Sequence, residues 1–407
     1  MKHLCIIVPG SRYLFDPWTI EPLGALYLAT VAKPYCDEVS VRIWGEEEIP
    51  SADWYGITMV TPHYEDVREI MARIRLASDA KIILGGAHCT FLPEETMADL
   101  QPDFLVAGEG ERALISILND QYQGLPGIYH GSDGWGKTDA TQLGDLPIPD
   151  HGLLQHKYYP NPAFANEQGG AIMASRGCPY GCSYCGPSVG LWTRWRDPAQ
   201  VAEEMALYKQ WRFEDDDLFG SLAWFKDFAQ LVPPNRSWRC SVRAKSIDMR
   251  ILELARMTGC KQVGIGVETA DPDLLKKHCP SKSVEANTRG VQMVKQAGML
   301  VTAFLIAGLP GETEQSIQNT IRWIEEVRPD KFTVSACTPY PGSKLYSKPE
   351  RYGVKNLSAD WQDYRQLGHE DDDVAFVYDT DQLDRKQMTE LWHRLRETAQ
   401  YGIAPRS

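Results

Sequence analysis

Residues 171–185, AIMASRGCPYGCSYC, combine an apolar run with three cysteines that follow it. Cys178, Cys182 and Cys185 have the spacing C-x3-C-x2-C, so three thiols follow one another closely in the loop after a predicted strand. Iron–sulfur clusters are normally held by cysteine, and three ligands leave one iron of a [4Fe–4S] cube open. Structural zinc usually takes four ligands, and no fourth ligand follows at such a spacing. The motif therefore predicts a [4Fe–4S] cluster.

The three cysteines lie near the start of an alternation of apolar and amphipathic runs that extends over residues 169–345. Apolar runs predict six strands, and runs of helical period lie between them. The predicted strands lie at 171–177, 210–219, 238–245, 262–269, 300–313 and 331–342. Six strand–helix units in tandem favour a partial (β/α)6 barrel, with its chemistry at the carboxyl ends of the strands.

An earlier alternation over residues 1–145 has apolar runs that predict an open, mostly parallel sheet with helices on both faces. Ligands of such Rossmann-like domains sit at the carboxyl ends of the strands. The loops after Pro9, Thr61 and Gly86 should therefore share one edge. The predicted fold class is α/β, in the order Rossmann-like domain (1–145), linker rich in Gly, Pro and Asp (146–168), partial barrel (169–345) and short, mostly helical C-terminal extension (346–407).

Composition narrows the class of partner. The formal net charge of −13 disfavours broad binding to nucleic-acid phosphates, which needs a footprint of Lys and Arg. No apolar run is long enough for a membrane span, and the N-terminus resembles a buried first strand more than a signal peptide. Ten cysteines without secretory features favour a reducing cytoplasm. We expect a cytoplasmic protein with a small-molecule or peptide substrate, no nucleic-acid partner and no membrane span.

The cysteine spacing, with the aromatic Tyr184 just before the last cysteine, resembles the radical S-adenosylmethionine (SAM) superfamily. Further motifs extend the resemblance along the barrel: EDDDLF at 214–219, LIAGLPGET at 305–313 and TPYPGS at 338–343, which are similar to the Elp3/MiaB/NifB-like branch. The resemblance implies that one electron from the cluster cleaves SAM to a 5′-deoxyadenosyl radical. It also implies SAM contacts by Tyr184, Asp216, Arg243 and Glu268. Each of these residues also has a structural interpretation, such as an ion pair or a helix-start carboxylate.

The N-terminal domain resembles cobalamin-binding Rossmann-like domains at two stretches, TMVTPHYEDV (58–67) and LGGAHCT (84–90). The resemblance implies that cobalamin contacts Thr58, Thr61, Gly85 and Gly86. A Gly-Gly turn lets the backbone come close to a ligand, because glycine has no side chain in the way.

One departure concerns the cobalt ligand. The Asp-x-His-x-x-Gly loop that supplies a histidine below cobalt should follow the first strand, where this sequence has Pro9-Gly10-Ser11-Arg12-Tyr13. His63 and His88 lie in other loops, and hydrogen bonding within those loops is the favoured role for both. We therefore expect cobalamin to bind without a histidine below cobalt, as the resemblance to cobalamin-dependent radical SAM enzymes also implies.

The resemblance as a whole implies a cobalamin-dependent radical SAM methyltransferase. Its substrate carbon would lose hydrogen to the deoxyadenosyl radical and receive methyl from methylcobalamin, which a second SAM regenerates. The implied electron donor is a flavodoxin or ferredoxin, and the substrate is a small molecule or a peptide or protein side chain. The alternative within the family is ring formation or oxidation without methyl transfer.

Three further alternatives remain open from the sequence. A methylthiotransferase would hold a second cluster in its N-terminal domain, for which Cys5, Cys36 and Cys89 are candidates, although no C-terminal RNA-binding β-barrel follows. A non-catalytic cobalamin or SAM sensor is disfavoured, because a sensor does not need a radical-generating cluster. A methylase that accepts methyl on Cys337 is weaker than the interpretation of Cys337 as a buried apolar residue.

Overall fold

A computed structural model describes residues 2–10, 21–154, 169–187, 189–366 and 374–402. The described residues form two compact units: an N-terminal unit that holds the residues up to 154 together with 187, 189 and 190, and a C-terminal unit that holds the rest. Within the described ranges, no helix is both long and apolar enough to cross a membrane. Ser11–Tyr13, which replace the cobalt-ligand loop, and residues 155–168 of the predicted linker lie outside the described residues.

The N-terminal unit is built on one six-stranded sheet with the order β2-β1-β3-β4-β5-β6. All neighbours pair in parallel except β5 and β6, which are antiparallel. The first five strands have the 2-1-3-4-5 order of a doubly wound α/β fold. This confirms the predicted Rossmann-like domain. The strands are β1 (His3–Pro9), β2 (Glu38–Trp44), β3 (Trp54–Thr58), β4 (Lys81–Gly85), β5 (Phe104–Val106) and β6 (Ile128–Tyr129).

Burial on both faces of β1 explains why helices cover this sheet. Consecutive residues Leu4, Cys5, Ile6 and Ile7 are all buried, although their side chains point alternately to opposite faces. Leu4 and Ile6 share a core with the apolar sides of the first and fifth helices. The helices are α1 (Leu23–Ala32), α2 (Tyr64–Ala77), α3 (Ala87–Phe91), α4 (Pro93–Leu100) and α5 (Gly110–Leu118).

The carboxyl ends of β3 and β4 are locked together by backbone contacts. Thr58 and Gly85 are register partners, and the Met59 N–H donates to the Gly85 carbonyl at 2.7 Å. Gly86 has φ +118°, and a Cβ there would lie 2.4 Å from the Met59 carbonyl oxygen. A Cβ on Gly85 would meet nothing closer than Val106 at 3.8 Å. The chain's own backbone therefore requires glycine at 86 but not at 85, a reason for the Gly-Gly turn that differs from the ligand approach expected above.

Six parallel strands form the sheet of the C-terminal unit, in the sequential order β14-β13-β12-β11-β10-β7. Helices separate these strands along the chain, and the unbroken order is that of a partial (β/α) barrel, as predicted. The strands are β7 (Gly169–Ile172), β10 (Gln210–Phe213), β11 (Ser237–Val242), β12 (Cys260–Glu268), β13 (Leu300–Ala307) and β14 (Lys331–Ala336). The helices are α6 (Pro198–Met205), α7 (Leu222–Leu231), α8 (Met249–Met257), α9 (Pro272–His278), α10 (Val284–Gln296) and α11 (Glu314–Val327).

Residues after the barrel cover its exposed edge strand. The Trp392 indole N–H donates to the Val334 carbonyl at 3.0 Å, and the Ala336 N–H donates to the Gln366 carbonyl at 2.8 Å. An unpaired edge strand would otherwise present free backbone groups. Helices make up most of the regular structure in the described part of the extension, as expected, and one short strand pair accompanies them. Its elements are α12 (Lys344–Ser347), α13 (Pro349–Tyr352), β15 (Val354–Lys355), β16 (Asp379–Thr380) and α14 (Arg385–Gly402).

The described beginning of the predicted linker, residues 146–154, packs on the N-terminal unit. The Asp150 N–H donates to Thr30 Oγ1 at 2.8 Å, and His151 Nδ1 lies 2.9 Å from Glu21 Oε1 with both side chains buried. These contacts extend the compact N-terminal unit past residue 145.

The contrast between the two glycines yields a matched pair of variants. Gly86→Ala should lower the free energy of unfolding by about 1–3 kcal/mol, because alanine is strained at positive φ and its Cβ meets the Met59 carbonyl. Gly85→Ala should change it by less than about 1 kcal/mol. Denaturant unfolding of the cobalamin-free protein measures both. Equal losses in the two variants would contradict this account of the turn.

Candidate functional site

A short hairpin closes the loop that carries the three cysteines. Strands β8 (Ser175–Arg176) and β9 (Arg194–Trp195) pair in an antiparallel manner on either side of this cluster loop, residues 177–193. Asp215, just after β10, accepts hydrogen bonds from Ser175 Oγ at 2.5 Å and from the Ala174 N–H at 3.1 Å. The loop is thereby fixed at the carboxyl end of β7, where the sequence predicted it.

The cysteines of the cluster loop differ in exposure. Cys182 is buried, Cys178 is half-buried and Cys185 is exposed. A hydrogen bond from Cys279 and the nearby Arg243 lower the pKa of Cys182 to about 5, against the opposing effect of burial. These effects favour the thiolate, the form in which cysteine binds metal.

A segment that the sequence analysis missed, His278–Lys282, supports the cluster loop. The Ser183 N–H donates to the His278 carbonyl at 2.9 Å, and Ser183 Oγ lies 2.6 Å from His278 Nδ1. His278 Nε2 faces the Pro310 carbonyl at 2.8 Å, so Nε2 carries the proton and Nδ1 accepts from Ser183. Burial lowers the pKa of His278 to about 4, which keeps the ring neutral and this arrangement intact.

The sequence does contain a signal for the helix before this segment. Asp271 caps α9 with its side chain, and Pro272 is the first helical residue. This N-cap and N1 combination is typical of helix starts. This pattern does not predict the direction in which the side chains after α9 point.

Arg243 is the cation nearest to the cluster loop among the predicted site residues. Its Nη1 lies 3.9 Å from Cys182 Sγ, its Nη2 donates to Ser281 Oγ at 2.5 Å, and its guanidinium carbon lies 3.7 Å from the centre of the Tyr180 ring. Arg243 is 7% exposed, and its Nε has no hydrogen-bond partner among the described residues. Buried guanidinium groups normally have their donors satisfied, so the free Nε indicates room for an acceptor.

The three consecutive aspartates after β10 have separate roles. Asp215 is buried in the loop-base contacts described above. Asp217 accepts from the Arg243 N–H at 3.1 Å and from Ser246 Oγ at 2.6 Å. Asp216 is exposed. The pKa of Cys178 is raised mainly by burial of its thiol, and the negative charge of Asp216 raises it further. Of the three, Asp216 therefore has its carboxylate near the cysteines, and its contact with SAM stays a prediction.

Glu268 ends β12 in an unusual conformation. Its φ is +68°, and the pairing of β12 with β13 shifts register between Gly266 and Glu268. The Glu268 carboxylate forms a close ion pair with Lys282, whose Nζ also donates to the Gly266 carbonyl at 2.6 Å. The structural interpretation of Glu268, an ion pair with a neighbouring lysine, is therefore present in the molecule. The SAM contact stays a prediction.

Tyr184 packs beside this ion pair and beside Cys279. Tyr184 Oη lies 3.3 Å from Cys279 Sγ, and the ring packs against Cys182 and Leu275. Burial, with the nearby charge of Glu268, raises the pKa of the Tyr184 phenol well above its usual value. Tyr184 is thus a neutral donor at the carboxyl ends of the barrel strands.

In the N-terminal unit the predicted cobalamin loops lie side by side. His88 Nδ1 lies 3.1 Å from Thr61 Oγ1, which ties the loop after β4 to the loop after β3. Burial lowers the pKa of His63 and that of His88 to about 4 each. The hydrogen bond to Thr61 agrees with the structural role expected for His88. Thr58, Thr61, Gly85 and Gly86 are thus brought to one edge of the sheet, and their contacts with cobalamin stay a prediction.

The cysteines proposed for a second cluster do not share a location. Cys36 precedes β2 and lies at the amino edge of the parallel sheet, whereas Cys89 follows β4 at the carboxyl edge. Cys5 lies within β1, where burial raises its pKa to about 11. A cluster needs its ligands around one cube, so the geometry does not favour a methylthiotransferase.

Cys337 is also placed unfavourably for accepting a methyl group. Its side chain is buried, and burial raises its pKa to about 12. Tyr378, whose hydroxyl donates to the Gly308 carbonyl at 2.6 Å, is a hydrogen-bond partner of the thiol. The geometry supports the interpretation of Cys337 as a buried apolar residue.

The donor set fits an iron–sulfur cluster better than a single metal ion. Within the described ranges, no three His, Cys, Asp or Glu side chains converge as they would on one ion. The thiolates of a cube bind different irons and need not converge. The Arg243 guanidinium beside Cys182 suits an anionic cluster. The unpartnered Nε of the same guanidinium suits a bound carboxylate.

Two family models match two separate parts of the chain. Residues 46–118 match the B12 binding domain, and residues 172–324 match the radical SAM superfamily. The second range begins in the strand before the cluster loop and extends into α11. Together the two matches give the domain combination of cobalamin-binding radical SAM enzymes, the family that the chain resembles. The family's cofactors are a [4Fe–4S] cluster, SAM and cobalamin.

Comparison with individual proteins gives similar results. An uncharacterized methyltransferase of Pyrococcus horikoshii is 27% identical, over 89% of the chain and 86% of that protein. The anaerobic magnesium-protoporphyrin IX monomethyl ester cyclase of Rubrivivax gelatinosus is 28% identical, over 73% of the chain and 58% of the cyclase. The radical S-adenosylmethionine methyltransferase TsrM from Kitasatospora setae, solved with cobalamin and a [4Fe–4S] cluster, matches with a TM-score of 0.72 at 17% identity, over 100% of this chain and 90% of TsrM. This last match establishes a shared fold.

Removing any one cluster cysteine should remove the cluster. We expect Cys178→Ala, Cys182→Ala and Cys185→Ala each to lose the iron, about four per chain, that a single reconstituted [4Fe–4S] cluster contributes. Iron analysis and deoxyadenosine formation measure the loss. Cys260→Ala is a matched control, because Cys260 is buried at the amino end of β12, about 26 Å along the strand from Glu268. A cluster-cysteine variant with full iron and full SAM cleavage would refute the assignment.

Proposed function

We propose that this chain is a cobalamin-dependent radical SAM methyltransferase that acts on an unactivated carbon. The observation that carries the proposal is the cluster loop, with Arg243 against Cys182, in a chain that also contains a B12 binding domain. When bound, the cluster supplies the electron that cleaves SAM, and the cobalamin supplies the methyl group. Cys178, Cys182 and Cys185 would hold the cluster.

Three side chains around the cluster loop are suited to orient SAM. Arg243 offers an unpartnered Nε, which suits a carboxylate acceptor. Asp216 offers an exposed carboxylate near the cysteines, which suits an ammonium group. Tyr184 offers a neutral phenol in a partly apolar setting, which suits a ring or a hydroxyl. Opposite charges placed in this way would select the zwitterionic end of SAM.

Glu268 completes the proposed SAM contacts. Its left-handed backbone and the register shift before it turn the last residue of β12 out of the regular ladder. Lys282 holds its charge in place without removing all of its acceptor capacity, because a carboxylate has about four lone-pair sites. The remaining sites can accept hydrogen bonds from the ribose hydroxyls or the amine of SAM.

The N-terminal unit would hold cobalamin at the carboxyl edge of its sheet. Thr58, Thr61, Gly85 and Gly86 lie together there, as the binding of a nucleotide-like tail would require. His88 is engaged with Thr61 in the same region. This supports binding without a histidine below cobalt.

Relatives of both reaction types exist, and coverage favours methyl transfer. The Pyrococcus horikoshii protein is named a methyltransferase and aligns over most of both chains. The Rubrivivax gelatinosus cyclase aligns over a little more than half of its own length. Ring formation without methyl transfer therefore remains the second candidate. A flavodoxin or ferredoxin would donate the electron in a reducing cytoplasm, and the substrate would be a small molecule or a peptide or protein side chain.

Isotope labelling tests the reaction type. Anaerobic, reconstituted protein would be incubated with cell extract, methylcobalamin, reductant and SAM that carries a deuterated methyl group. We expect deoxyadenosine together with a product whose mass has increased by one labelled methyl. The Cys185→Ala variant is the control and should form neither. Deoxyadenosine with a product that has lost hydrogen and gained no label would favour the cyclase, and absence of deoxyadenosine would reject both candidates.

The role of Glu268 can be separated from that of its ion pair. Glu268→Ala should weaken SAM binding about ten- to a hundredfold, because one or two charge-assisted hydrogen bonds are lost. It should also lower the melting temperature, because Lys282 is left buried without its partner. The double variant Glu268→Ala/Lys282→Met should recover stability but not SAM affinity. Calorimetry and thermal melting decide the matter: restored affinity in the double variant, or unchanged affinity in the single variant, would mean that the ion pair is purely structural.

A further inference from the structure

Alternate residues of β12 face opposite sides of the barrel sheet. Val263 and Ile265 are buried in the core that the covering helices share. The residues between and beside them, Gln262, Gly264 and Gly266, therefore face the inside of the partial barrel. A complete (β/α)8 barrel normally fills its inside with bulky apolar side chains. Here β12 contributes one amide and two glycines, and so adds little bulk to the inside.

A cavity of about 410 Å³ lies against this inner face of the sheet. Its wall includes three cationic side chains from three strands, Arg212, Arg239 and Lys331. Among the described residues, no Asp or Glu lines the cavity, although the whole chain has 55 acidic and 42 basic residues. Arg212 Nε lies 2.8 Å from Glu214 Oε1 in an ion pair. Beyond that pair, the wall carries the charges of Arg239 and Lys331.

The sheet register places these cations close to one another. Arg212 and Arg239 are register partners on β10 and β11, and Arg239 is in turn the partner of Gln262. Gln262 Nε2 donates to Thr302 Oγ1 at 2.7 Å, and Thr302 is the partner of Lys331. Register partners have their side chains on the same face of a sheet. Positive groups on neighbouring strands repel one another, and an anion between them offsets that repulsion.

The cavity extends to the level of the Glu268–Lys282 ion pair. Phe304 lines the cavity and lies across Gly264, where a Cβ would be 2.5 Å from the ring. Phe304 is also the register partner of Gly266. A Cβ on Gly266 would lie 2.6 Å from Glu268 Oε1 and 2.8 Å from Lys282 Nζ. The aromatic wall of the cavity is therefore level with a residue that contacts the proposed SAM site.

The length of β11 sets the size of molecule that fits this arrangement. Arg239 and Arg243 are four residues apart on the inner face, which corresponds to about 13 Å along the strand. Arg243 lies against Cys182 of the cluster loop. An organic molecule of about this length would place one end among the cations and a carbon at the cluster end of the barrel.

We propose that the substrate is an organic anion whose carboxylate or phosphate group is bound by Arg212, Arg239 and Lys331, with its apolar part against Phe304. Guanidinium and ammonium groups recognise both types of anion through charge-assisted hydrogen bonds. The inference rests on the proposed methyltransferase function and names its substrate class. The three cations lie away from the reacting carbon, so they determine specificity and position the substrate.

Calorimetry with simple anions tests the site without turnover. Reconstituted protein, saturated with SAM and without reductant, would be titrated with phenylphosphate, benzoate and the uncharged benzyl alcohol. We expect at least one of the anions to bind and benzyl alcohol not to bind. Arg239→Gln and Lys331→Gln should each weaken anion binding about tenfold or more, because a charge-assisted contact is lost. Lys386→Gln removes an exposed charge from α14 and should have no effect.

Several results would reject the anion site. These are failure of both anions to bind, equal binding of benzyl alcohol, and unchanged anion affinity in either cavity variant. If Arg239→Gln does not fold, Lys331→Gln decides alone, because Lys331 is exposed at the first position of its strand. A preference for phenylphosphate or for benzoate would identify which anionic group the site recognises.

Transfer of a labelled methyl group separates the substrate class from the proposed function. An anion-exchange resin would divide cell extract into a bound and an unbound fraction, and each would be incubated as in the labelling experiment above. We expect a labelled product from the bound fraction only. A labelled product from the unbound fraction alone would reject the anionic substrate and uphold methyl transfer. Deoxyadenosine without label in either fraction would reject methyl transfer, and the calorimetry would then decide the anion site by itself.

Discussion

The contact between the Arg243 guanidinium and the Cys182 sulfur is the interaction on which the candidate site depends. It brings a cation from the end of β11 to a loop that begins after β7, within a sheet whose strands follow one another in sequence order. A buried thiolate without a nearby cation would be costly, and a buried cation without an anion equally so. Each therefore offsets the cost of burying the other, and the guanidinium would also offset part of the negative charge of a bound cluster.

The sequence predicted the parts of the site that follow from local pattern. Apolar alternation located the strands, and the cysteine spacing located the loop after the first of them. The sequence could not predict the role of the His278–Lys282 segment. The contacts of this segment with the cluster loop depend on where the turn after α9 directs each side chain. His278 reaches Ser183, Ser281 reaches Arg243 and Lys282 reaches Glu268, across 95, 38 and 14 residues of sequence respectively.

The two glycines after β4 also show that a sequence pattern does not predict contacts with residues from another strand. The sequence pattern assigned one reason to Gly85 and Gly86, namely close approach of a ligand. The backbone separates them, since only Gly86 has positive φ and a Met59 carbonyl where its Cβ would be. A pattern of residue types locates a turn, but the reason for each residue in it depends on atoms contributed by the next strand. The hydrogen bond between Thr61 and His88 was likewise visible only once both loops were placed.

We propose a cluster with three cysteine ligands and one iron open to SAM, although a fourth cysteine, Cys279, lies nearby. The most direct measurement is the EPR spectrum of the dithionite-reduced, reconstituted protein before and after addition of SAM. Coordination of SAM to the open iron predicts a change in the g-values of the cluster signal. A spectrum that SAM leaves unchanged, in a protein with a full complement of iron, would mean that the fourth position is already filled and would contradict the account.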